Sequence, residues 1–324
     1  MLKTIIYGIF LTFFIVGASI FYIFYSQKVP PHFWDIFSSL DKKYLILSLI
    51  SLFLFHTFDN LRVFIISRAI NLRYSFLYGY VVSLVSTFGA TVTPAHLGGE
   101  FLPLYTLKRI GGKFHQIMSV ITLKGIAGLF FYILFLPFTI EALIKDPKEA
   151  KDLLMIILAI TLISLIVYII WSVLKRKEGF ISKELLRRIK YQFFKYLIVC
   201  KRFFKYKKKV FFLALILSIF MYIALLFIGV FLVKAFNSQA SIKEVFLSQL
   251  PLVYAIFMSP TPGGSGVGEL GAVVVFEGFI SSVFIAPFAI LWRILSQYLG
   301  ALFGSILFLI LGFKDFVLRK NKWL

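Results

Sequence analysis

The strongest constraint on this chain is a series of apolar stretches long enough to cross a lipid bilayer. They cover roughly residues 4–25, 44–67, 114–140, 153–174, 210–233 and 283–312. An α-helix needs about 20 mainly apolar residues to span the hydrocarbon core. Of the 324 residues 60% are hydrophobic and 15% charged, whereas a soluble domain has roughly 45–50% and 25%. The sequence therefore predicts an all-α polytopic membrane protein and excludes a soluble enzyme, a nucleic-acid-binding protein and a secreted disulfide scaffold.

Two further apolar stretches, 76–107 and 243–281, are each interrupted by a cluster of proline and glycine. Paired interruptions of this kind are typical of the broken helices that form transporter binding sites. We interpret each stretch as a re-entrant hairpin that returns to the side from which it entered. The predicted fold is thus about six full transmembrane helices plus two re-entrant broken-helix hairpins.

The distribution of lysine and arginine predicts the orientation. Segment 175–209 alone holds fourteen basic residues, and such segments stay on the cytoplasmic side of a membrane. With two re-entrant hairpins, 24 basic residues lie inside and 8 outside, which predicts cytoplasmic termini and a cell-membrane location. The hairpins then enter from opposite faces, so that residues 1–324 form one transmembrane domain with inverted halves, about 44–152 and 210–312.

The two interruptions carry the same motif: Thr-Pro, a glycine-rich turn and a glutamate. Residues 93–100 read TPAHLGGE and residues 261–269 read TPGGSGVGE. Lys124 lies 24 residues beyond Glu100, and Arg293 lies 24 residues beyond Glu269. Since a helix rises about 1.5 Å per residue, two legs of about 12 residues bring each basic residue back to the depth of its glutamate. We therefore predict two buried acid–base pairs, or one cluster of four.

Charges at the bilayer centre cost about 2.5–3.5 kcal/mol each, so they neutralise one another or line a polar cavity. In a binding site, Lys124 and Arg293 would meet a lipid phosphate, and Glu100 and Glu269 an amine or a proton; the alternative is two structural ion pairs. The glycine turns and the following helix N-terminus suit an anion, or form a plain helix break. The other candidate residues are Thr93, Pro94, His96, Gly98, Gly99, Thr261, Pro262, Gly263, Gly264, Gly266, Gly268 and Gln297.

Two supporting features lie outside the motifs. Asp59 and Arg62 share a helix face, which predicts a packing ion pair, with substrate contact as the alternative. Segment 175–209 has apolar residues at every fourth position between basic ones, which favours an in-plane helix on anionic headgroups over a solvated loop. Cys200 is expected to be an ordinary thiol, and neither a metal nor a cofactor is predicted. Membrane phospholipids are the expected partners, without nucleic acid, and a homo-oligomer is compatible with the sequence.

Residues 71–125, with TPAHLGGE, resemble the transmembrane region of the lysylphosphatidylglycerol synthase/flippase-like family. So does SPTPGGSGVGELGAVVVFEG with residues 289–295. The resemblance covers roughly residues 5–312 and implies translocation of an aminoacylated or other phospholipid, or of a lipid-linked substrate. Full-length synthase members add a soluble aminoacyl-transferase domain. Because this sequence ends at Leu324, shortly after its last apolar stretch, we expect translocation rather than enzymatic activity. The family commonly has an arginine where this chain has Lys124.

The leading hypothesis is therefore a lipid flippase or scramblase. An ion- or proton-coupled transporter of a small solute is the first alternative, since broken helices in inverted repeats serve that class too. A membrane-embedded transferase acting on a lipid phosphate is the second. It would need a nucleophile or a metal–carboxylate motif, and the sequence has no HExxH, DxxD or DxD.

Overall fold

The computed structural model describes residues 2–27, 40–174 and 183–320, which are helical or in turns and include no strand. The all-α prediction is confirmed. The helices are α1 (Leu2–Gln27), α2 (Lys42–Ala69), α3 (Phe76–Thr91), α4 (Leu97–Arg109), α5 (Phe114–Lys145), α6 (Pro147–Leu174), α7 (Lys183–Tyr206), α8 (Lys208–Phe236), α9 (Ile242–Met258), α10 (Val267–Phe276), α11 (Ile285–Arg293) and α12 (Leu299–Lys320). Short 3₁₀ turns, Pro94–His96 and Pro262–Gly264, separate α3 from α4 and α9 from α10. A π-helical turn, Ile294–Tyr298, joins α11 to α12.

Four helical segments within the described ranges are long and apolar enough to cross a membrane. They are Lys42–Ala69, Phe114–Lys145, Lys208–Phe236 and Ile285–Asp315. Helices α1 and α6 cover the other two apolar stretches. Large apolar side chains point outward along these helices; Ile133 and Leu309, for example, are 69% and 68% exposed. Exposing so much apolar surface to water would be strongly unfavourable, so the chain is an integral membrane protein.

Helix starts follow ordinary capping chemistry. Asp41, Ser75 and Ser241 precede α2, α3 and α9, and each side-chain oxygen accepts a hydrogen bond from a backbone N–H of the first turn. These bonds satisfy amides that have no partner within the helix. The caps Ser75 and Ser241 set where the two broken-helix pairs begin.

Two units share one order of elements: a long helix, a broken-helix pair and a second long helix. The first unit is α2–α5 and the second is α8–α12. Helix α2 packs along α8, and each final helix packs on the other unit's broken pair, α5 on α9 and α12 on α3. At the second of these contacts, a Cβ on Gly304 would lie 2.0 Å from the Leu84 carbonyl oxygen, so only glycine allows this approach. The exchange locks the two units into one body.

Helix α7 lies against α5. The Tyr196 hydroxyl donates to Thr122 Oγ1 at 3.1 Å, and the ring nitrogen Nδ1 of His115 lies 3.2 Å from Gln192 Oε1. Aromatic and basic side chains on the opposite side are exposed. The basic segment predicted at 175–209 therefore divides: α7 ends at Tyr206, Lys208 already begins α8, and residues 175–182 lie outside the described residues.

Candidate functional site

The two Thr-Pro turns have the same backbone geometry. Ala95 and Gly263 occupy equivalent places with φ/ψ of 50°/30° and 59°/16°, and His96 and Gly264 follow with φ of 58° and 65°. A left-handed backbone conformation costs glycine little energy, but it is strained for alanine and histidine. The turns also touch, because the Ala95 N–H donates to the Pro260 carbonyl at 3.3 Å. The repeated motif thus encodes a repeated turn.

The threonines of the motif build these turns. The Thr93 hydroxyl donates to the Gly89 carbonyl at 2.8 Å and accepts from the Gly98 N–H at 2.5 Å. The Thr261 hydroxyl donates to the Ser265 carbonyl at 2.8 Å. Pro94 and Pro262 start the 3₁₀ segments, where no N–H is needed. These two threonines and two prolines of the motif therefore stabilise the turns themselves.

The first predicted acid–base pair is present and partly open. Lys124 Nζ lies 3.2 Å from Glu100 Oε1, and also 3.4 Å from Ser86 Oγ and 3.5 Å from the Gly99 carbonyl. The Lys124 side chain is 10% exposed and that of Glu100 is 42% exposed. The other carboxylate oxygen, Glu100 Oε2, has no hydrogen-bond partner among the described residues although it is buried. This pair therefore retains unused hydrogen-bonding capacity.

The pair faces a cleft of about 370 Å³, which we call the charged cleft. It is lined by Arg62, Glu100, Ile121, Thr122, Lys124, Gly125, Gly128, Leu129, Tyr222 and Phe257. Leu129 and Phe257 are 46% and 44% exposed, so the cleft has charged groups at its base and large apolar side chains at its rim. Its volume lies within the usual range for ligand sites, about 300–1,000 Å³.

The predicted Asp59–Arg62 ion pair lies below the charged cleft. Its atoms are 2.5 Å apart, the Ser83 hydroxyl donates to Asp59 at 2.7 Å, and Arg62 donates to the Ser218 hydroxyl at 3.1 Å. These bonds tie α2 to α3 and α8. A void of about 10 Å³, room for about one water molecule, is lined by both Asp59 and Lys124. Arg62 both packs helices and lines the charged cleft.

The second predicted pair is present and sealed. Arg293 Nε lies 3.0 Å from Glu269 Oε1, and the two side chains are 2% and 1% exposed. Arg293 also donates to the Gly263 carbonyl at 3.0 Å, and the Tyr298 hydroxyl donates to Glu269. The Gly266 N–H donates to Glu269 Oε2 at 2.5 Å, so Glu269 itself occupies the helix N-terminus for which the sequence favours a bound anion. The shared cluster of four charges does not form; each basic residue pairs with its own glutamate.

The glycines of the second turn serve close packing. Gly263, Gly264 and Gly266 have positive φ, whereas Gly268 lies within α10 and does not. A Cβ on Gly268 would lie 2.5 Å from the Arg293 guanidinium carbon, so Gly268 makes room for the sealed pair. In the first turn, Gly98 and Gly99 pack against α3 in the same way.

Gln297 and His96 lie between the units. Gln297 does not extend the Arg293 cluster; it donates to Thr91 Oγ1 of α3 at 2.8 Å. His96 is partly exposed, and its Nδ1 atom has no hydrogen-bond partner among the described residues. Cys200 is a free thiol near Ser119. The described residues hold no group of three or more His, Cys, Asp or Glu side chains that suits a metal ion.

Sequence reasoning missed Tyr222, Tyr298, Ser86 and Gly128. Tyr298 lies five residues beyond Arg293, and the π-helical turn brings it to Glu269; a search for partners one turn away would have stopped at Gln297. Tyr222 comes from α8, and no local spacing connects it with Lys124.

The fold and the site define a polytopic helical membrane protein with a charged cleft between its helices. The family described as the lysylphosphatidylglycerol synthase TM region matches residues 5–304, and the chain belongs to this family. A curated relative, a UPF0104 membrane protein of Archaeoglobus fulgidus, is 20% identical over 310 residues, which covers 90% of this chain and 94% of the relative. The predicted family is thereby confirmed.

Proposed function

We propose that this protein is a lipid flippase or scramblase in which the headgroup passes through the charged cleft while the acyl chains stay in the bilayer. One observation carries the proposal: the Glu100–Lys124 pair lies at the base of a cleft with an apolar rim. An apolar rim suits a lipid that arrives sideways from the membrane. A small soluble solute would be better served by a polar entrance.

The proposed topology is six spans plus two re-entrant hairpins, formed by α3–α4 and α9–α10, in an inverted repeat with both termini cytoplasmic. The contact between the two turns supports hairpins that approach from opposite faces. The excess of lysine and arginine on one side supports the orientation in a cell membrane. Turns inside a membrane survive only where protein or a polar cavity satisfies their backbone groups, and these turns pack against each other.

The proposed chemistry is an exchange of partners. A headgroup phosphate would form an ion pair with Lys124 in place of Glu100. An amine on the same headgroup would then pair with the freed Glu100 carboxylate. Arg62 and Tyr222 add donors at the base of the cleft. Because each charge keeps an opposite charge nearby throughout, the headgroup avoids the full cost of entering hydrocarbon. No bond of the lipid is made or broken.

We propose that α7 rests on the membrane surface beside the charged cleft and collects anionic lipids. The Tyr196 hydroxyl of α7 is hydrogen-bonded to Thr122, which lines the charged cleft. Exposed aromatic residues and lysines on one helix are suited to the boundary between headgroups and acyl chains.

The test is lipid exchange in liposomes containing purified protein and phospholipids with labelled acyl chains. We expect accelerated movement between leaflets, a loss of at least tenfold in Lys124→Met, and no change in Lys145→Met. The control breaks the exposed Glu141–Lys145 pair on the same helix. Mass spectrometry should find the headgroups unchanged, in keeping with a transporter.

Two results would overturn the proposal. The first is no acceleration over empty vesicles with zwitterionic, anionic or aminoacylated phospholipids. The second is equal exchange by wild type and Lys124→Met, because the charged cleft would then not be the route.

A further inference from the structure

The two units differ at the positions that follow the basic residue of each pair. One residue beyond Lys124 is Gly125, where the second unit has Ile294. Four residues beyond, the first unit has Gly128 and the second has Gln297. The repeat thus places glycine in the first unit where the second has large side chains.

In the second unit, large side chains stand at and next to the equivalent positions. Gln297 reaches Thr91, and at the next position Tyr298 reaches Glu269. Of these two side chains only Tyr298, whose counterpart in the first unit is Leu129, contacts the pair, in which the Arg293 side chain is 2% exposed. The second unit thus has large side chains at these positions and a tyrosine next to them that reaches the pair.

In the first unit, Gly125 and Gly128 both line the charged cleft. A Cβ on Gly128 would lie 3.3 Å from Arg62 Nη1 and 3.7 Å from the Tyr222 hydroxyl. A larger side chain at 128 would stand between these groups, inside the charged cleft. A Cβ on Gly125 would have no described atom within 4 Å, so this position opens directly into the cleft.

We propose that Gly128, assisted by Gly125, determines which headgroups reach Lys124 by setting the width of the charged cleft. This inference rests on the proposed function. The ligand class is a compact phospholipid headgroup that carries both a phosphate and an amine. Its two charges match the charged groups that line the cleft, which are the Glu100–Lys124 pair and Arg62, whose own partner is the buried Asp59.

The experiment compares two lipids with labelled acyl chains, phosphatidylethanolamine and lysyl-phosphatidylglycerol, in vesicles that contain wild type, Gly128→Ala, Gly128→Leu or Gly312→Leu. Gly312 is an exposed glycine of α12 with no described atom within 4 Å of its added Cβ, and it serves as the matched control. Gly128→Ala should slow the larger headgroup at least fivefold more than the smaller one. Gly128→Leu should slow both at least tenfold, and Gly312→Leu should match wild type.

A second measurement reads the width of the cleft without transport. In a Cys200→Ser background, Gly125→Cys should react with a small cationic thiol reagent, and adding Gly128→Leu should lower that rate at least tenfold. Unchanged labelling, or equal exchange of both lipids by wild type and a folded Gly128→Leu, would overturn the inference. If Gly128→Leu fails to fold, an unchanged ratio of the two lipid rates in Gly128→Ala would overturn it. Absence of lipid exchange by wild type would instead refute the proposed function, and the labelling result would still decide the width of the cleft.

Discussion

Removing the glutamate charge from the sealed pair should reduce the stability of the protein, whereas removing it from the open pair should reduce transport. Glu269→Gln leaves Arg293 buried without its counter-charge, and the amide cannot accept hydrogen bonds from both the Gly266 N–H and the guanidinium. Breaking a fully buried ion pair on one side costs about 3–5 kcal/mol. Glu100→Gln should cost less than about 1 kcal/mol, as is usual for partly exposed pairs, because the Glu100 side chain is 42% exposed.

The assay is reversible unfolding in mixed detergent micelles, followed by tryptophan fluorescence, together with the lipid-exchange measurement. The expected difference between the variants, at least about 2 kcal/mol, is roughly a 30-fold difference in the unfolding equilibrium. Glu100→Gln should lose transport while remaining near wild-type stability. Equal stability of the two variants would refute the reasoning, and so would a Glu100→Gln variant that unfolds.

Three further predictions follow from the structure. Ala95→Gly should stabilise the protein by about 1 kcal/mol, because Ala95 has left-handed backbone; the unfolding assay measures this. Gly304→Val should destabilise it by more than about 3 kcal/mol, since an added Cβ would lie 2.0 Å from the Leu84 carbonyl oxygen; yield of folded protein after extraction checks this. Replacing the exposed Lys201 and Lys205 by glutamine should weaken the attraction of α7 to anionic lipid by about 1 kcal/mol per residue. The stimulation of exchange by anionic lipid should fall accordingly.

Each of these predictions has a control. Ala142→Gly lies within helix α5 and should destabilise by about 1 kcal/mol, the opposite sign to Ala95→Gly. A Gly304→Ala variant as stable as wild type would contradict the close helix contact. Glutamine substitutions on α7 that leave the dependence on anionic lipid unchanged would contradict its proposed surface role.

The sequence predicts much of the fold because hydrophobic length and turn chemistry are local. The turns around Gly111 and between α10 and α11 lie about midway between each glutamate and its basic partner, as two helical segments of equal length require. The pairing of Glu100 with Lys124 and of Glu269 with Arg293 follows from the same count.

The difference between the two pairs was not predicted from the sequence. Both pairs have the same spacing, yet one is open and one sealed. The sealing depends on Tyr298, which a π-helical turn displaces from ordinary helical spacing. The open pair faces a cleft lined by Tyr222 and Arg62, from helices far away in the chain, and only the packing of three helices brings them to Lys124.

The most direct test of the central claim is photocrosslinking with a phospholipid that carries a diazirine in its headgroup, followed by mass spectrometry of the adducts. The account predicts adducts on residues 121–129 of α5 and on Tyr222, and their loss in Lys124→Met but not in Lys145→Met. Adducts at the second turn, 261–269, with none in the charged cleft, would contradict it.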